Sequence, residues 1–254
     1  MRNLLFEIAY QGTRYHGYQV QENALSVAQV LQDAIEAVTG SRDDITGCSR
    51  TDTGVHANSF YFNMKTESRI PEDRFPIALN HALPPDIAVK RCQEVPMEFH
   101  ARYHCLRKEY LYRIWNSEIR SPFLDGLVSE YKYPLDLPCL QKATQDFVGT
   151  YDFRAFCAAG GKEMETVRTI YEASICREED DMVCFRVSGD GFLYHMVRIM
   201  VGTLLEINEG KIPPDSIREI IEQRDRTLAG RTAKPQGLYL NRVEYGDEWF
   251  GKTV

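Results

Sequence analysis

The chain has little positive charge, no long apolar run and no paired cysteines. Thirty Lys and Arg stand against 37 Asp and Glu, a formal net charge of −7. Indiscriminate binding of nucleic acid over a uniformly basic surface is therefore excluded, because such binding depends on many cations neutralising phosphates. A local basic groove is still compatible with this balance. Seven cysteines (Cys48, Cys92, Cys105, Cys139, Cys157, Cys176 and Cys184) are odd in number and scattered, with no C-x-x-C pair and no histidine at ligand spacing. That pattern predicts reduced, mostly buried thiols and no metal site. The N-terminus turns polar after Leu5 and shows no apolar core before a cleavage site, so no secretory signal and a cytoplasmic location are predicted. The most apolar stretch, Gly191 to Leu205, is too short and too charged to span a membrane. With 43% hydrophobic and 26% charged residues, disorder, collagen and coiled coil are excluded as well.

At 254 residues the chain can bury roughly 70 to 75% of its unfolded surface, enough for two domains of ordinary size. Residues Asn3 to Ala9 alternate as a strand. Ser26 opens a helix with Gln29 three positions on, and Val27, Val30, Leu31, Ala34, Ile35 and Val38 form its apolar face before Gly40 stops it. Thr46 to Ala57 reads as a loop, and Ser59 to Thr66 as a strand. A helix follows Pro71 and ends before Pro84 and Pro85. Further strands are predicted at Ile87 to Glu94, Glu109 to Trp115, Thr169 to Arg177, Met182 to Ser188 and Leu238 to Tyr245. Helices are predicted at Leu137 to Val148, at Gly191 to Ile207 and from Pro214. Strands joined by helices and hairpins in mixed order predict an α+β fold, with helices packed on antiparallel sheets. The polar stretch His100 to Lys108 marks the boundary, giving halves 1–104 and 105–254.

Three segments carry candidate chemistry. The loop from Gly47 to Ala57 sets Asp52 among hydroxyl residues, with Arg50 two positions before it. Nearby cations and hydrogen bonds hold such a carboxyl ionised; the bland alternative is a turn in which Asp52 and the threonines satisfy backbone groups. The helix from Gly191 is apolar nearly all round, with Arg198 as its one permanent charge up to Leu205. A buried cation needs a carboxylate, since stranding one member of such a pair costs ~3 to 5 kcal/mol. The alternative is that Arg198 reaches solvent or a structural carboxylate. His195 reads as a packed core histidine rather than a ligand. In the strand Glu109 to Trp115, Tyr110, Tyr112 and Ile114 share one face. Such rings are core, or one is a platform for a nucleobase while Arg102, Arg107, Lys108 and Arg113 meet phosphates.

Seven blocks in order resemble the tRNA pseudouridine synthase I family (the TruA branch). They are YQGTRYHGYQVQ from Tyr10, GCSRTDTGVHA from Gly47, ALNHALPPDIAV from Ala78, FHARYHCLRKEYLYRI from Phe99, TVRTI from Thr166, SGDGFLYHMVRIMVGTLLEI from Ser188 and PQGLYLNRVEY from Pro235. The resemblance implies two ferredoxin-like halves around a central cleft, and a homodimer that embraces tRNA. It implies isomerisation of uridine to pseudouridine on the 3′ side of the anticodon arm, with no cofactor and no metal. The family's essential aspartate falls on Asp52, flanked by Thr51 and Thr53 in substrate binding. Its stacking aromatic falls on Tyr110, its carboxylate-pairing arginine on Arg198, and the arginine that assists base extrusion on Arg50. Asp52 then either attacks covalently or removes the C2′ proton to give a glycal. The chain departs from the family at Tyr18, where Trp is usual, and at Ser59 and Phe60, where Gly and Gln are usual.

Two other classes compete. Asp52, Thr53 and Gly54 also form the local signature of an aspartic protease, but that chemistry needs two aspartates sharing a proton, and the chain holds one copy. A catalytically silent RNA-binding paralogue predicts a missing aspartate or tyrosine, and both are present, while the departures at Tyr18, Ser59 and Phe60 and the acidic balance fit a paralogue retargeted to a different RNA site.

Overall fold

The computed structural model describes residues 1–160, 165–179 and 181–250. Along the chain they form β1 (Arg2–Tyr10), α1 (Val27–Thr39), β2 (Ile45–Gly47), β3 (His56–Thr66), α2 (Phe75–Ala82), β4 (Ile87–Val95), β5 (Cys105–Trp115), β6 (Ser129–Glu130), α3 (Leu137–Thr144), β7 (Gly149–Asp152), β8 (Val167–Glu179), β9 (Met182–Gly189), α4 (Met196–Asn208), α5 (Ile217–Gln223) and β10 (Leu238–Tyr245). None of the described helices is long and apolar enough to cross a membrane.

The chain divides into two compact units. One holds Met1–Leu106 together with the segment from Tyr239, and the other holds Arg107–Leu238. The sequence boundary after 104 lies close to this division, but the C-terminal strand does not follow it. β10 runs parallel to β3, with Tyr239 opposite His56 and Leu240 opposite Ala57. No local pattern announces such a partner across so long a separation.

In the first unit, β1 pairs antiparallel with both β3 and β4, and β2 forms a short antiparallel arm on the far end of β3. This β-α-β-β-α-β order, with strands arranged β4-β1-β3-β2, is the ferredoxin-like pattern. α1 begins where the capping pattern placed it: the Ser26 hydroxyl accepts from Gln29 N at 3.2 Å, and Gly40 ends the helix in the left-handed region at φ 76°. Leu4, Phe6 and Ile8 of β1, Phe60, Phe62 and Met64 of β3, Leu31 and Ile35 of α1, and Phe75 and Leu79 of α2 are fully buried. Phe6 lies flat on Phe62 at 4.8 Å and meets Phe75 edge-on at 5.3 Å. Asn3 and Asn63 are also buried. Asn3 Nδ2 donates to the carbonyls of Pro96 and Phe99, and Asn63 accepts from Ala101 N, which anchors the 96–104 connection.

In the second unit, β5, β9, β8 and β7 pair antiparallel in that order, with β6 parallel to the end of β5. β8 and β9 extend past the predicted strand ends, so Glu178 and Glu179 lie in β8; the predicted turn at Glu178 to Asp181 includes residue 180, outside the described residues. α3 packs on β8 and α4. α4 is buried along most of its length, as its composition predicts, and Gly202 lets the backbone at Arg231 approach: a Cβ there would sit 1.6 Å from the Arg231 carbonyl oxygen. Its start differs from the prediction. Gly191 to His195 stand outside the helix, and His195 precedes it at φ 60°. The cysteines also differ from expectation: only Cys48 and Cys184 are buried, and Cys176 is exposed.

Candidate active site

The predicted catalytic loop spans residues 48–55, between β2 and β3, shorter than the Thr46-to-Ala57 reading because both strands extend into it. The chain segment after β1 holds it from below. Tyr10 Oη lies 2.9 Å from Thr51 Oγ1, Tyr18 N donates to Thr51 O, and Gly54 N donates to Tyr15 O. Val55 N closes the turn on Asp52 O at 3.1 Å, and Gly12 N donates to Nδ1 of the fully buried His56. Accepting that bond assigns the proton of neutral His56 to Nε2. The approach is so close that only glycine fits at two positions. A Cβ on Gly12 would lie 1.9 Å from the Val55 carbonyl, and Gly17 has φ +83° with Thr51 O 2.4 Å from its Cβ position.

Thr51 is buried by these contacts, Asp52 is half-buried, and Arg50 and Thr53 are exposed. The turn is thus closed by main-chain groups around Asp52, and Thr51 provides its anchor into the core. Sequence reasoning missed this cradle. Its signal was the run of Tyr10, Gly12, Tyr15, Gly17 and Tyr18, which the opening block contains.

The three departures from the family pattern fall under or beside the loop. Tyr18 and Phe60 are buried against each other, rings stacked 4.2 Å apart at 30°, and both abut Gly47. Burial, with the Cys48 thiol beside it, pushes the Tyr18 phenol well above its ordinary pKa. Its hydroxyl is buried without a hydrogen-bond partner among the described residues. Ser59 Oγ donates to Glu7 Oε1 at 2.8 Å.

The second unit carries Tyr110 and Arg198. Tyr110, on β5 opposite Val187, is 6% exposed and meets Phe192 edge-on at 5.0 Å. Its neighbour in the predicted row, Tyr112, is core: it is fully buried, donates to Lys234 O at 2.8 Å, and burial pushes its phenol up to about 12. Arg198, half-buried in the first turn of α4, donates from Nε to Ala233 O at 2.8 Å, while Ala233 N returns a bond to Arg198 O. This reciprocal clamp orients the guanidinium. Of the basic residues between Arg102 and Arg113, Arg107 has a structural assignment, since it binds Glu172 and Ser188 and lies over Tyr171. The core-histidine reading of His195 is corrected: it is half-buried, stacked on Tyr194 at 3.8 Å, and held in the left-handed region at a cost of about 1–2 kcal/mol. A helical pattern carries no signal for that residue, because the helix begins one position later.

Asp52, Arg50, Thr51 and Thr53 therefore share one anchored loop of the first unit, and Tyr110 and Arg198 belong to the second. No group of three or more His, Cys, Asp or Glu among the described residues is arranged to hold a metal ion.

Comparison with known proteins agrees with the sequence blocks. The chain is 49% identical over 245 residues to tRNA pseudouridine synthase A of Acetivibrio thermocellus, covering 96% of this chain and 100% of that one. It is 45% identical to the protein of the same name from Thermoanaerobacter sp., and 43% to that of Clostridium acetobutylicum, with the same coverage. The tRNA pseudouridine synthase family model matches residues 8–104 and 143–246, which include Asp52 and Arg198, so the chain belongs to the tRNA pseudouridine synthase family.

Proposed function

We propose that this protein isomerises uridine to pseudouridine in the anticodon arm of tRNA, acting as a homodimer with Asp52 as the reacting carboxylate. The reaction breaks the N1–C1′ bond, turns the uracil within the site and joins C5 to C1′, while the C5 proton leaves and N1 gains one. It consumes no redox equivalent and no phosphate energy. Either course open to Asp52, addition to the sugar or removal of the C2′ proton, requires the ionised form. Arg198 is the cation assigned to pair with that carboxylate and aim it in the reaction. Tyr110 stacks on the detached uracil through its rotation. Arg50 assists extrusion of the base from the arm and offsets its cost of roughly a few kcal/mol.

The observation that carries this reading is the cradle of the 48–55 loop. Thr51 is locked to Tyr10 and Tyr18, which fixes the adjacent, half-buried Asp52 on a turn held by main-chain bonds. Preorganisation of this kind is what a single reacting group requires.

The test is carbodiimide or mass-spectrometric mapping of pseudouridine in tRNA incubated with wild-type protein or Asp52→Asn. Wild type is expected to modify anticodon-arm uridines, and the variant to bind tRNA within a few-fold while releasing no tritium from C5-labelled uridine. Tritium release at the wild-type rate by Asp52→Asn overturns the assignment.

A further inference from the structure

Residues 190–195 join β9 to α4 in the second unit. Leu193 is buried, Phe192 and His195 are half-buried, and Tyr194 is 40% exposed. The left-handed backbone of His195 sits at the N-cap of α4, where extended backbone and a short hydroxyl or amide side chain are the rule. Capping does not explain it, since the His195 side chain makes no cap bond. The surroundings impose it. Ala158 N donates to Tyr194 O, Met196 N to Leu193 O and Ile199 N to His195 O, and Leu193 N points at the Met196 sulfur. The result is a stacked pair of rings, Tyr194 on His195 at 3.8 Å and 28°, that keeps part of the tyrosine in solvent. It stands two residues from Phe192, whose ring touches Tyr110, and three from Arg198.

A strained residue held by its neighbours marks a place where geometry serves function, and an exposed aromatic stack is what splayed bases of single-stranded RNA seek. We propose that the Tyr194–His195 stack is a platform for an unpaired nucleobase of the RNA adjacent to the extruded uridine. This adds a substrate contact to the function proposed above and rests on it. His195 acts as a positioning residue that presents the tyrosine face, and Tyr194 makes the contact. Because every base offers a π-face, the platform tolerates sequence.

The experiment uses the full chain and an anticodon stem-loop RNA with 2-aminopurine at the nucleotide flanking the target uridine. Dissociation constant, fluorescence quenching, KM, kcat and melting temperature are read. Wild type is expected to quench the probe. Tyr194→Ala loses the quenching and raises Kd and KM about ten-fold, with a smaller change in kcat, and Tyr194→Phe restores both. His195→Gly, which accepts the left-handed backbone without the ring, melts no lower than wild type yet raises KM comparably, whereas His195→Ala melts lower. Wild-type KM and quenching in Tyr194→Ala, or wild-type KM in His195→Gly, overturn the platform. Wild-type protein that binds and quenches but forms no pseudouridine overturns the proposed function and leaves the platform standing; wild-type protein that does not bind the RNA overturns both.

Discussion

The hydroxyl oxygens of Tyr10 and Thr51 lie 2.9 Å apart inside the first unit, so the residue next to Asp52 is tied to the end of β1. The loop proposed to carry the reacting carboxylate is thereby anchored in a strand buried along most of its length, and the proposal makes turnover sensitive to residues that never touch RNA. Tyr10→Phe removes this bond at a cost of about 1 kcal/mol. The expected outcome is a kcat reduced several-fold with KM for tRNA nearly unchanged. Steady-state kinetics with unaltered kcat would show that Thr51 keeps its place without Tyr10.

Gly12→Ala forces a methyl to 1.9 Å from the Val55 carbonyl, a backbone atom that can retreat only by moving the loop. Overpacking of this kind costs about 1–3 kcal/mol. The variant is expected to melt several degrees lower and to lose more turnover than its stability loss explains when assayed well below its melting temperature.

Tyr18→Phe is expected to do the opposite. The buried Tyr18 hydroxyl has no hydrogen-bond partner among the described residues, while the ring packs on Phe60. Removing an unsatisfied buried hydroxyl and keeping the ring should stabilise by about 1 kcal/mol. A thermal melt that falls instead of rising would reveal a contact the hydroxyl makes.

Arg198→Met deletes the donor to the buried Ala233 carbonyl as well as the charge proposed to face Asp52. Stability is expected to fall by about 1–3 kcal/mol, and turnover by orders of magnitude. Arg198→Lys, which keeps the charge without the planar fork, should recover part of the turnover. A Met variant with wild-type melting temperature and activity would dismiss both roles.

Glu7 gives the pH dependence a sign. Burial alone raises its pKa, but the hydroxyl of Ser59, the guanidinium of Arg91 and the ammonium of Lys90 outweigh burial and hold it below its ordinary 4.5. A carboxyl depressed on folding stabilises above its unfolded value, and that contribution is lost as pH falls through the lower folded value. Glu7→Gln should therefore melt below wild type at about pH 7, with the gap closing as pH falls below the ordinary carboxyl value of 4.5. An equal gap at both ends would assign the effect to lost hydrogen bonding alone.

Much of this was legible in the sequence, for a physical reason that differs by element. α1 was readable at both ends because its stop signals are local: a hydroxyl that caps Gln29 N and a glycine able to take φ 76°. β10 was readable residue for residue because alternation is local too. Its parallel partner β3 was not, since pairing across the chain is settled by burial and not by either strand's pattern. The helix from Gly191 was misread for the same reason. Apolar periodicity continues through 191–195, while bonds from Ala158 and Met196 hold that backbone outside the helix.

By itself the sequence determined the α+β class, the extent of the local elements, and the short set of residues, Asp52, Tyr110 and Arg198 among them, in which chemistry had to be sought; each rests on interactions between near neighbours or on a motif. Only tertiary structure decided that Thr51 is pinned by Tyr10 and Tyr18, that Arg198 is clamped to Ala233, and that His195 is bent into a left-handed turn under Tyr194. Those arrangements depend on which distant atoms close packing brings within hydrogen-bond range, and no run of adjacent side chains encodes that distance.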